Sequence, residues 1–273
     1  MSHRLLMAGA AGNPPLAETL ARGYRRVHRG CHLGARLDAA PGGRVVRIDA
    51  LTADAARLED LLHRVGADVG SPRADVQASL LLEAYAWTLL LPLAGALMCE
   101  RRVPVLAPGG VSVTLREGSW PEELVLGHTR FAALAGDPDA AHEDVVAVPD
   151  DRALADILRA QVIGHLSGPI AALAAHSGRS PRALWRSAGD RLAAAMLFAS
   201  ETVGDVEDGA RLTRAVLEAP PLPGRPDYRV VVVPGGTMRV HARQGCCLWW
   251  RTRAATCCLT CPLSFAGEAR RAA

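Results

Sequence analysis

The apolar stretch Ala78–Cys99, ASLLLEAYAWTLLLPLAGALMC, decides how this chain folds. It is close to the length of a membrane-spanning helix, which needs about 20 residues. It nevertheless contains Glu83 and Pro92, and it lies between Asp75 and Glu100. Because charged groups are costly inside a bilayer, we predict a buried core helix and no stable membrane insertion.

Helical patterns lie on both sides of this stretch. Apolar residues at three- and four-residue spacing predict helices over 16–28, 53–65, 151–176 and 206–217. Ser71-Pro72 and Ser180-Pro181 each combine an N-cap residue with a first-turn proline, which predicts a helix start. Pro92 predicts a kink or an end of the long apolar helix, and Ser177-Gly178 predicts the end of the helix over 151–176.

Short β-branched runs predict strands. Val103–Leu106 and Val111–Leu115 are separated by a Pro-Gly-Gly turn and predict a hairpin. We expect two further runs, Leu124–Leu126 and Val145–Val148, to join the same small antiparallel sheet, and we expect residues 31–43 to form a loop. The fold class predicted from these patterns is α+β, with a predominantly helical body.

The best candidate boundary is the stiff stretch PPLPG at 220–224. It predicts a body over residues 1–224, with a possible sub-boundary near residue 150. The second part, residues 225–273, begins with the runs Tyr228–Val233 and Thr237–Arg243, which predict a hairpin around another Pro-Gly-Gly turn.

Composition excludes several function classes. The net charge is only +3, and all 31 basic residues are Arg, so this Arg content indicates a compositional bias more than a nucleic-acid interface, which needs a concentrated basic face. No phosphate-binding or dinucleotide-binding glycine pattern is present in the sequence.

The second hairpin leads into GCCLWWRTRAATCCLTCP, residues 245–262, which we call the cysteine segment. Five of the seven cysteines lie in it. Thiolates are soft ligands of iron–sulfur clusters and zinc, so this concentration predicts a C-terminal metal-binding lobe. A secreted disulfide scaffold would spread an even number of cysteines along a shorter chain, so we predict a reducing, cytoplasmic setting.

The spacing selects four ligands and leaves one thiol over. Cys246, Cys247, Cys258 and Cys261 supply the four thiolates that a [2Fe–2S] cluster or a zinc ion requires. The adjacent pair is easier to reconcile with two metal centres than with one tetrahedral zinc, because successive side chains diverge. Cys257 is the surplus thiol and a possible substitute for Cys258. A zinc-stabilised binding module with a structural four-cysteine site remains the alternative function.

The cysteine segment resembles the end of the FhuF-like ferric-siderophore reductases. Their Cys-Cys-x10-Cys-x2-Cys motif binds a [2Fe–2S] cluster, commonly with aromatic residues after the pair and Pro after the last Cys. Cys246-Cys247-Leu248-Trp249-Trp250 and Cys258-Leu259-Thr260-Cys261-Pro262 match it, although Cys257 is an additional cysteine.

The resemblance implies an oxidoreductase that passes one electron from the cluster to Fe(III) in a siderophore, favours the hydroxamate type, and releases Fe(II) in the cytoplasm. No flavin or nicotinamide motif occurs in the sequence, so a separate donor protein, such as a ferredoxin or a reductase, is expected to supply the electron.

Five residues near the predicted ligands are candidates for supporting roles. Arg243, Arg251 and Arg253 can raise the cluster potential or guide an anionic complex; the alternative is that they are ordinary solvated side chains. Trp249 and Trp250 are expected to pack in the core or over the cluster more readily than to contact ligand. Elsewhere, Glu83 is expected to face an internal pocket or to be a satisfied buried carboxylate.

Overall fold

The long apolar stretch forms the central helix of the protein. The structure is a computed structural model that describes residues 34–36, 45–107, 109–117, 119–126, 130–222 and 224–264. Within these residues the helices are α1 Ile48–Ala53, α2 Ala55–Val69, α3 Ala74–Glu100, α4 Asp151–Ser177, α5 Pro181–Val203 and α6 Val206–Leu217. They make up just over half of what the structure describes. The helix predicted over 16–28 lies outside the described residues.

Helix α3 is buried on all sides along most of its length. Leu82, Leu90 and Leu97 are almost completely buried, and the helix packs mainly against α5, with α2 and α4 beside it. By length and hydropathy, α3 and α4 could each cross a membrane, but 89% of the apolar window of α3 is buried inside the protein, against 33% for α4. The prediction that α3 is a core helix is therefore confirmed.

The start of α3 differs from the prediction. Ser71-Pro72 does not begin the helix; α3 starts at Ala74, and its N-cap residue is Arg73. The Ser71 N–H instead donates to the Gly66 carbonyl oxygen at 2.9 Å. Ser71 thus belongs to the turn that closes α2, a contact that local sequence signals do not reveal.

The other helix limits follow the sequence more closely. Pro92 does not end α3, which continues through it to Glu100. Ser180 caps α5 as predicted, because its Oγ accepts a hydrogen bond from the Ala183 N–H at 3.3 Å. Gly178 ends α4 in a left-handed conformation, and α6 has the predicted limits.

Two small mixed sheets and a separate hairpin complete the described fold. The strands are β1 Gly34–Arg36, β2 Val45–Arg47, β3 Arg102–Val105, β4 Val111–Arg116, β5 Trp120–Leu126, β6 Arg130–Leu134, β7 Val145–Val148, β8 Tyr228–Val233 and β9 Gly236–His241. The orders are β1-β5-β4-β2, β3-β6-β7 and β8-β9. The β1–β5 and β6–β7 pairs are parallel and the remaining pairs are antiparallel.

The predicted hairpin between β3 and β4 is wrong, and so is the prediction that these strands share one antiparallel sheet. β4 pairs with β2 and β5, whereas β3 pairs with β6 in the other sheet. A buried ion pair explains part of this arrangement: Arg102 at the start of β3 donates through Nε to Asp137 Oδ2 at 2.7 Å, which ties β3 to the loop after β6. The predicted loop over 31–43 is also corrected, because Gly34–Arg36 forms β1.

The C-terminal hairpin is confirmed. β8 and β9 are antiparallel, with Val233 opposite Gly236 at the turn, and β9 packs against α5. This contact brings the end of β9, and the cysteine segment that follows it, to the helical body. The α+β class, mostly helical with small sheets, is therefore confirmed.

Candidate functional site

The cysteine segment lies against α2, α3 and the start of α5. Its Arg253 N–H donates to the Val69 carbonyl oxygen at 3.0 Å. Arg179, just before α5, donates through Nη2 to the Cys246 carbonyl oxygen at 2.6 Å. Apart from the short 3-10 helix Trp249–Arg251, the segment is mostly irregular, so its shape depends on these contacts with the body.

The four predicted ligands are Cys246, Cys247, Cys258 and Cys261. The Cys247 and Cys258 sulfur atoms lie 3.7 Å apart. The Cys261 N–H donates to the Cys258 carbonyl oxygen at 3.0 Å, so the Cys-x2-Cys spacing forms a tight turn. Cys247 and Cys261 are buried, Cys246 and Cys258 are half-buried, and Cys257 is exposed. The surplus cysteine thus differs from the four predicted ligands in its exposure.

The close pair of thiols has opposite acid–base properties. The hydrogen bond between the Cys247 and Cys258 sulfur atoms, helped by the Arg243 charge and opposed by burial, lowers the pKa of Cys247 to about 6. The same hydrogen bond and burial raise the pKa of Cys258. Cys247 is therefore the thiol of this pair that ionises first, and the thiolate is the form that binds a metal.

The sulfur atoms of the cysteine segment have the chemistry that a thiolate-bound metal group requires. It offers soft sulfur donors at two close positions, one of them with a lowered pKa. Among the described residues, however, no three His, Cys, Asp or Glu side chains form a group that could hold a metal ion. The structure thus brings Cys247 and Cys258 together but does not assemble all four predicted ligands into one site.

A buried ion cluster lies directly behind the cysteines. Arg243 donates through Nη1 to Glu83 Oε2 at 2.7 Å and through Nη2 to Glu83 Oε1. Ser187 and Arg191 of α5 also donate to the Glu83 carboxylate. Glu83 is only 3% exposed and Arg243 8%. Glu83 is therefore a satisfied buried carboxylate, which was one of the two predictions for it.

Burial and ion pairing shift the pKa values of Glu83 and Arg243 in opposite directions. Burial would raise the pKa of Glu83, but the Arg243 and Arg191 charges and the hydrogen bonds lower it to about 2. Burial would lower the pKa of Arg243, but Glu83 raises it above its ordinary value. Both groups stay charged, so a fixed positive charge lies next to Cys247.

Asp190 of α5 holds the backbone that enters the cysteine pair. Its Oδ2 accepts a hydrogen bond from the Gly245 N–H at 2.8 Å, and its Oδ1 accepts one from the Gln244 N–H at 3.0 Å. A side chain at Gly245 would crowd Asp190 Oδ2, with its Cβ at 3.2 Å. His241 Nε2 lies 3.1 Å from Asp190 Oδ1, and His241 Nδ1 accepts from the Asp227 N–H, so Nε2 carries the proton that Asp190 accepts.

The five supporting candidates fall into two groups. Arg243 is buried, so it is not an ordinary solvated side chain. Arg251 is half-buried and Arg253 is exposed, and Trp249 and Trp250 are 37% and 39% exposed. The two Trp side chains therefore do not pack in the core, and their packing over a cluster stays a prediction. Arg251 lies over the Trp250 ring at 4.7 Å, and Arg253 donates to the Asp68 carbonyl oxygen.

Sequence reasoning missed Asp190 and Ser187 as parts of the site. The available signal was a polar residue on an apolar helical stripe, since Asp190 lies between Ala188 and Leu192, which are completely buried. The same signal applies to Glu83. Its partner Arg243 is 160 positions away in the chain, so the sequence alone does not pair the two.

Comparison with known proteins identifies the body that carries these residues. Residues 79–245 match the model of a family described as ferric iron reductase FhuF-like transporter. The match contains Glu83, Ser187, Asp190 and Arg243, and it ends immediately before Cys246. No curated protein matches the chain significantly. Because the family model covers more than half of the chain, the protein belongs to the FhuF-like ferric iron reductase family.

Proposed function

We propose that this protein is a cytoplasmic ferric-siderophore reductase that holds a [2Fe–2S] cluster through Cys246, Cys247, Cys258 and Cys261. The observation that carries the proposal is the approach of the Cys247 and Cys258 sulfur atoms to 3.7 Å. The adjacent pair Cys246-Cys247 directly follows the region that matches a family of ferric iron reductases. The free thiols of the segment suit a reducing compartment.

The substrate in this proposal is Fe(III) held by the oxygen donors of a siderophore. Fe(III) is a hard ion that such oxygens bind very tightly, whereas they bind Fe(II) far less tightly. Adding one electron therefore releases the metal as Fe(II). A separate protein, a ferredoxin or a reductase, supplies that electron. Hydroxamate siderophores are the class that the resemblance favours.

The residues of the chain have distinct tasks in this reaction. Cys247 is available as a thiolate near neutral pH, because its pKa is lowered to about 6. The buried Arg243 charge offsets the negative charge that four thiolates bring, and Glu83 holds Arg243 in place. Asp190 fixes the backbone before Cys246. When bound, a [2Fe–2S] cluster supplies a one-electron carrier, and the reduction potential of all-Cys plant-type clusters is about −400 mV.

Metal analysis of anaerobically purified protein tests the proposal. We expect about two iron and two sulfide ions per chain, the stoichiometry of a [2Fe–2S] cluster. The protein should also absorb visible light and give a paramagnetic resonance signal after reduction by dithionite. The reduced protein should then reduce ferric siderophores in a panel assay. A colourless protein with one zinc ion per chain would instead support the zinc-stabilised binding module.

A further inference from the structure

A large groove runs along α4, between this helix, α1 and the segment that joins β3 to β4. Its volume is about 1120 Å³, slightly above the range of most small-molecule sites, roughly 300–1,000 Å³. Its wall is mainly apolar and includes Ile48, Leu106 and Val111. We call it the α4 groove. It has room for a metal ion enclosed by an organic chelator.

Small residues of α4 keep the groove open. Ala160, Gly164 and Gly168 line it, and their four-residue spacing places them on one face of the helix. A Cβ at Gly164 or at Gly168 would meet nothing within 4 Å. The space in front of two turns of α4 is therefore free for a ligand.

Tyr85 of α3 lines the groove with an unpaired hydroxyl group. Its side chain is only 4% exposed, and among the described residues its hydroxyl has no hydrogen-bond partner. Burial, together with the Asp49 charge, raises the pKa of Tyr85 above its ordinary value, so the hydroxyl stays protonated and can donate. Because buried polar groups are nearly always hydrogen-bonded, this hydroxyl indicates a ligand with an acceptor oxygen.

The interior of the groove offers further donors but no charge. Gln161 Oε1 accepts from the Leu106 N–H at 2.9 Å, which leaves the Nε2 group of Gln161 as a donor. Burial lowers the pKa of His165, so its ring is uncharged at neutral pH. The two charged side chains of the lining, Asp49 and Arg130, have opposite signs. The lining thus favours a ligand without net charge.

We propose that the α4 groove binds the ferric substrate as a neutral tris-hydroxamate chelate, with Tyr85 and Gln161 donating hydrogen bonds to its oxygen atoms. Fe(III) has three positive charges and each hydroxamate has one negative charge, so the chelate is neutral, as the lining is. Its carbon chains contact the apolar wall, which favours binding through the hydrophobic effect. The proposal rests on the reductase function proposed above and locates its substrate.

The groove lies on the other side of α3 from the ion cluster behind the cysteines. Glu83 and Tyr85 are two residues apart in α3, so at 3.6 residues per turn their side chains point in nearly opposite directions. Glu83 contacts Arg243, whereas Tyr85 lines the groove. An α-helix with its side chains is about 10–12 Å wide. An electron that reaches a chelate in the groove therefore crosses α3.

The two smaller clefts of the described residues fit a chelate less well. In the cleft at the start of α3, Arg73 is paired with Asp75, and Arg179 donates to a backbone carbonyl oxygen. The other cleft is lined by a short stretch that includes Arg225 and Asp227. Neither has an apolar wall with an unpaired buried donor.

Titration calorimetry with gallium(III) chelates tests binding without electron transfer, because Ga(III) has the charge of Fe(III) and is not reduced under these conditions. For the purified protein we expect tighter binding of a neutral tris-hydroxamate chelate than of an anionic tris-catecholate chelate. Added salt should change the tris-hydroxamate Kd by less than about twofold, because a neutral ligand is not screened.

Gly164→Trp fills the groove and should raise the tris-hydroxamate Kd by about tenfold or more. The new side chain enters free space, and Trp has a higher helix propensity than Gly, so the variant should fold. Gly136→Trp is the matched control. A Cβ at Gly136 also meets nothing within 4 Å, but Gly136 lies in the loop after β6 and does not line the groove, so the Kd should stay within about twofold.

Tyr85→Phe removes the hydroxyl and keeps the ring. We expect the Kd to rise about two- to tenfold, the value of one hydrogen bond, and the melting temperature not to fall, because the hydroxyl has no partner in the protein. The proposal is overturned if no chelate binds, if the tris-catecholate binds more tightly, if Gly164→Trp or Tyr85→Phe leaves the Kd unchanged, or if Gly136→Trp weakens binding as much as Gly164→Trp. It is also overturned if Gly164→Trp only changes the elution volume in size-exclusion chromatography, which would make the groove an interface between copies.

The groove and the reductase function can fail separately. If the protein binds the tris-hydroxamate chelate and Gly164→Trp abolishes this binding, but the protein contains zinc and no iron, the groove is right and the reductase is wrong. If the protein contains the cluster and Gly164→Trp reduces ferric tris-hydroxamates with an unchanged KM, the reductase is right and the groove is wrong.

Discussion

At the scale of single residues, the cysteines differ in exposure, and this difference separates their expected roles. Cys247→Ser and Cys261→Ser each remove a buried thiol and should abolish bound iron and the visible absorbance. Cys257→Ser removes an exposed thiol and should leave both unchanged. Iron and sulfide analysis of the three variants checks this. In a fourth variant, Cys258→Ser, retention of the cluster together with its loss in Cys257→Ser would replace Cys258 by Cys257 as a ligand.

Glu83→Gln removes the negative charge from the centre of the buried ion cluster. Breaking a buried ion pair from one side typically costs about 3–5 kcal/mol, because the other charge stays buried, and Arg243 would be that charge. We expect a loss of this order in the free energy of unfolding by denaturant. The control is Arg239→Ala, which removes an exposed pair with Glu201 and should change the stability by less than about 0.5 kcal/mol.

The lowered pKa of Glu83 also predicts a dependence on pH. The folded value of about 2 lies below the ordinary value of about 4.3, so the ionised carboxylate stabilises the fold above this ordinary value. That contribution is lost as the pH falls toward 2. The stability difference between the wild type and Glu83→Gln should therefore shrink between about pH 5 and pH 2. If the stability difference between the wild type and Glu83→Gln grew as the pH fell, the assigned ion pair between Glu83 and Arg243 would be contradicted.

At the scale of elements, the contact between α5 and α6 depends on a glycine. A Cβ at Gly209 would lie 2.3 Å from the Ser200 Cβ, whereas one at Gly164 in α4 would meet nothing within 4 Å. Gly209→Ala should therefore destabilise the protein by about 1–3 kcal/mol. Gly164→Ala should stabilise it by about 0.5–1 kcal/mol. Thermal unfolding compares the two, and equal shifts would show that α5 and α6 are not in close contact.

Elements were predictable from sequence where local signals decide them. α6 has the predicted limits because Asp205 caps it and its apolar residues recur at helical spacing. The wrong hairpin between β3 and β4 shows the limit, since the partner of β3 depends on contacts such as Arg102 with Asp137. The residues around the cysteines could not be predicted for the same reason. The cysteine spacing is a local signal, but the side chains that contact the cysteine segment lie in α3 and α5.

At the scale of the whole molecule, the predicted division at residue 224 can be tested directly. The part after residue 224 is held to the body by β9 against α5 and by Arg243 and Gly245, which bond to Glu83 and Asp190. Leaving those carboxylates buried without partners would be costly. If a protease site is inserted between Gly224 and Arg225 and cut, we expect the two pieces to elute together in size-exclusion chromatography. Two separate folded pieces would instead show independent domains.

The exposure of Cys257 has a consequence for how the protein withstands air. Accessible thiolates are oxidised first, to sulfenic acids that condense with other thiols. A sulfenic acid on Cys257 can join two molecules through a disulfide, or pass the oxidation to the adjacent Cys258 by exchange. Covalent dimers and the loss of a ligand position would then have the same origin. Cys257, the one cysteine of the segment outside the four predicted ligands, would therefore limit how long those four survive aerobic handling.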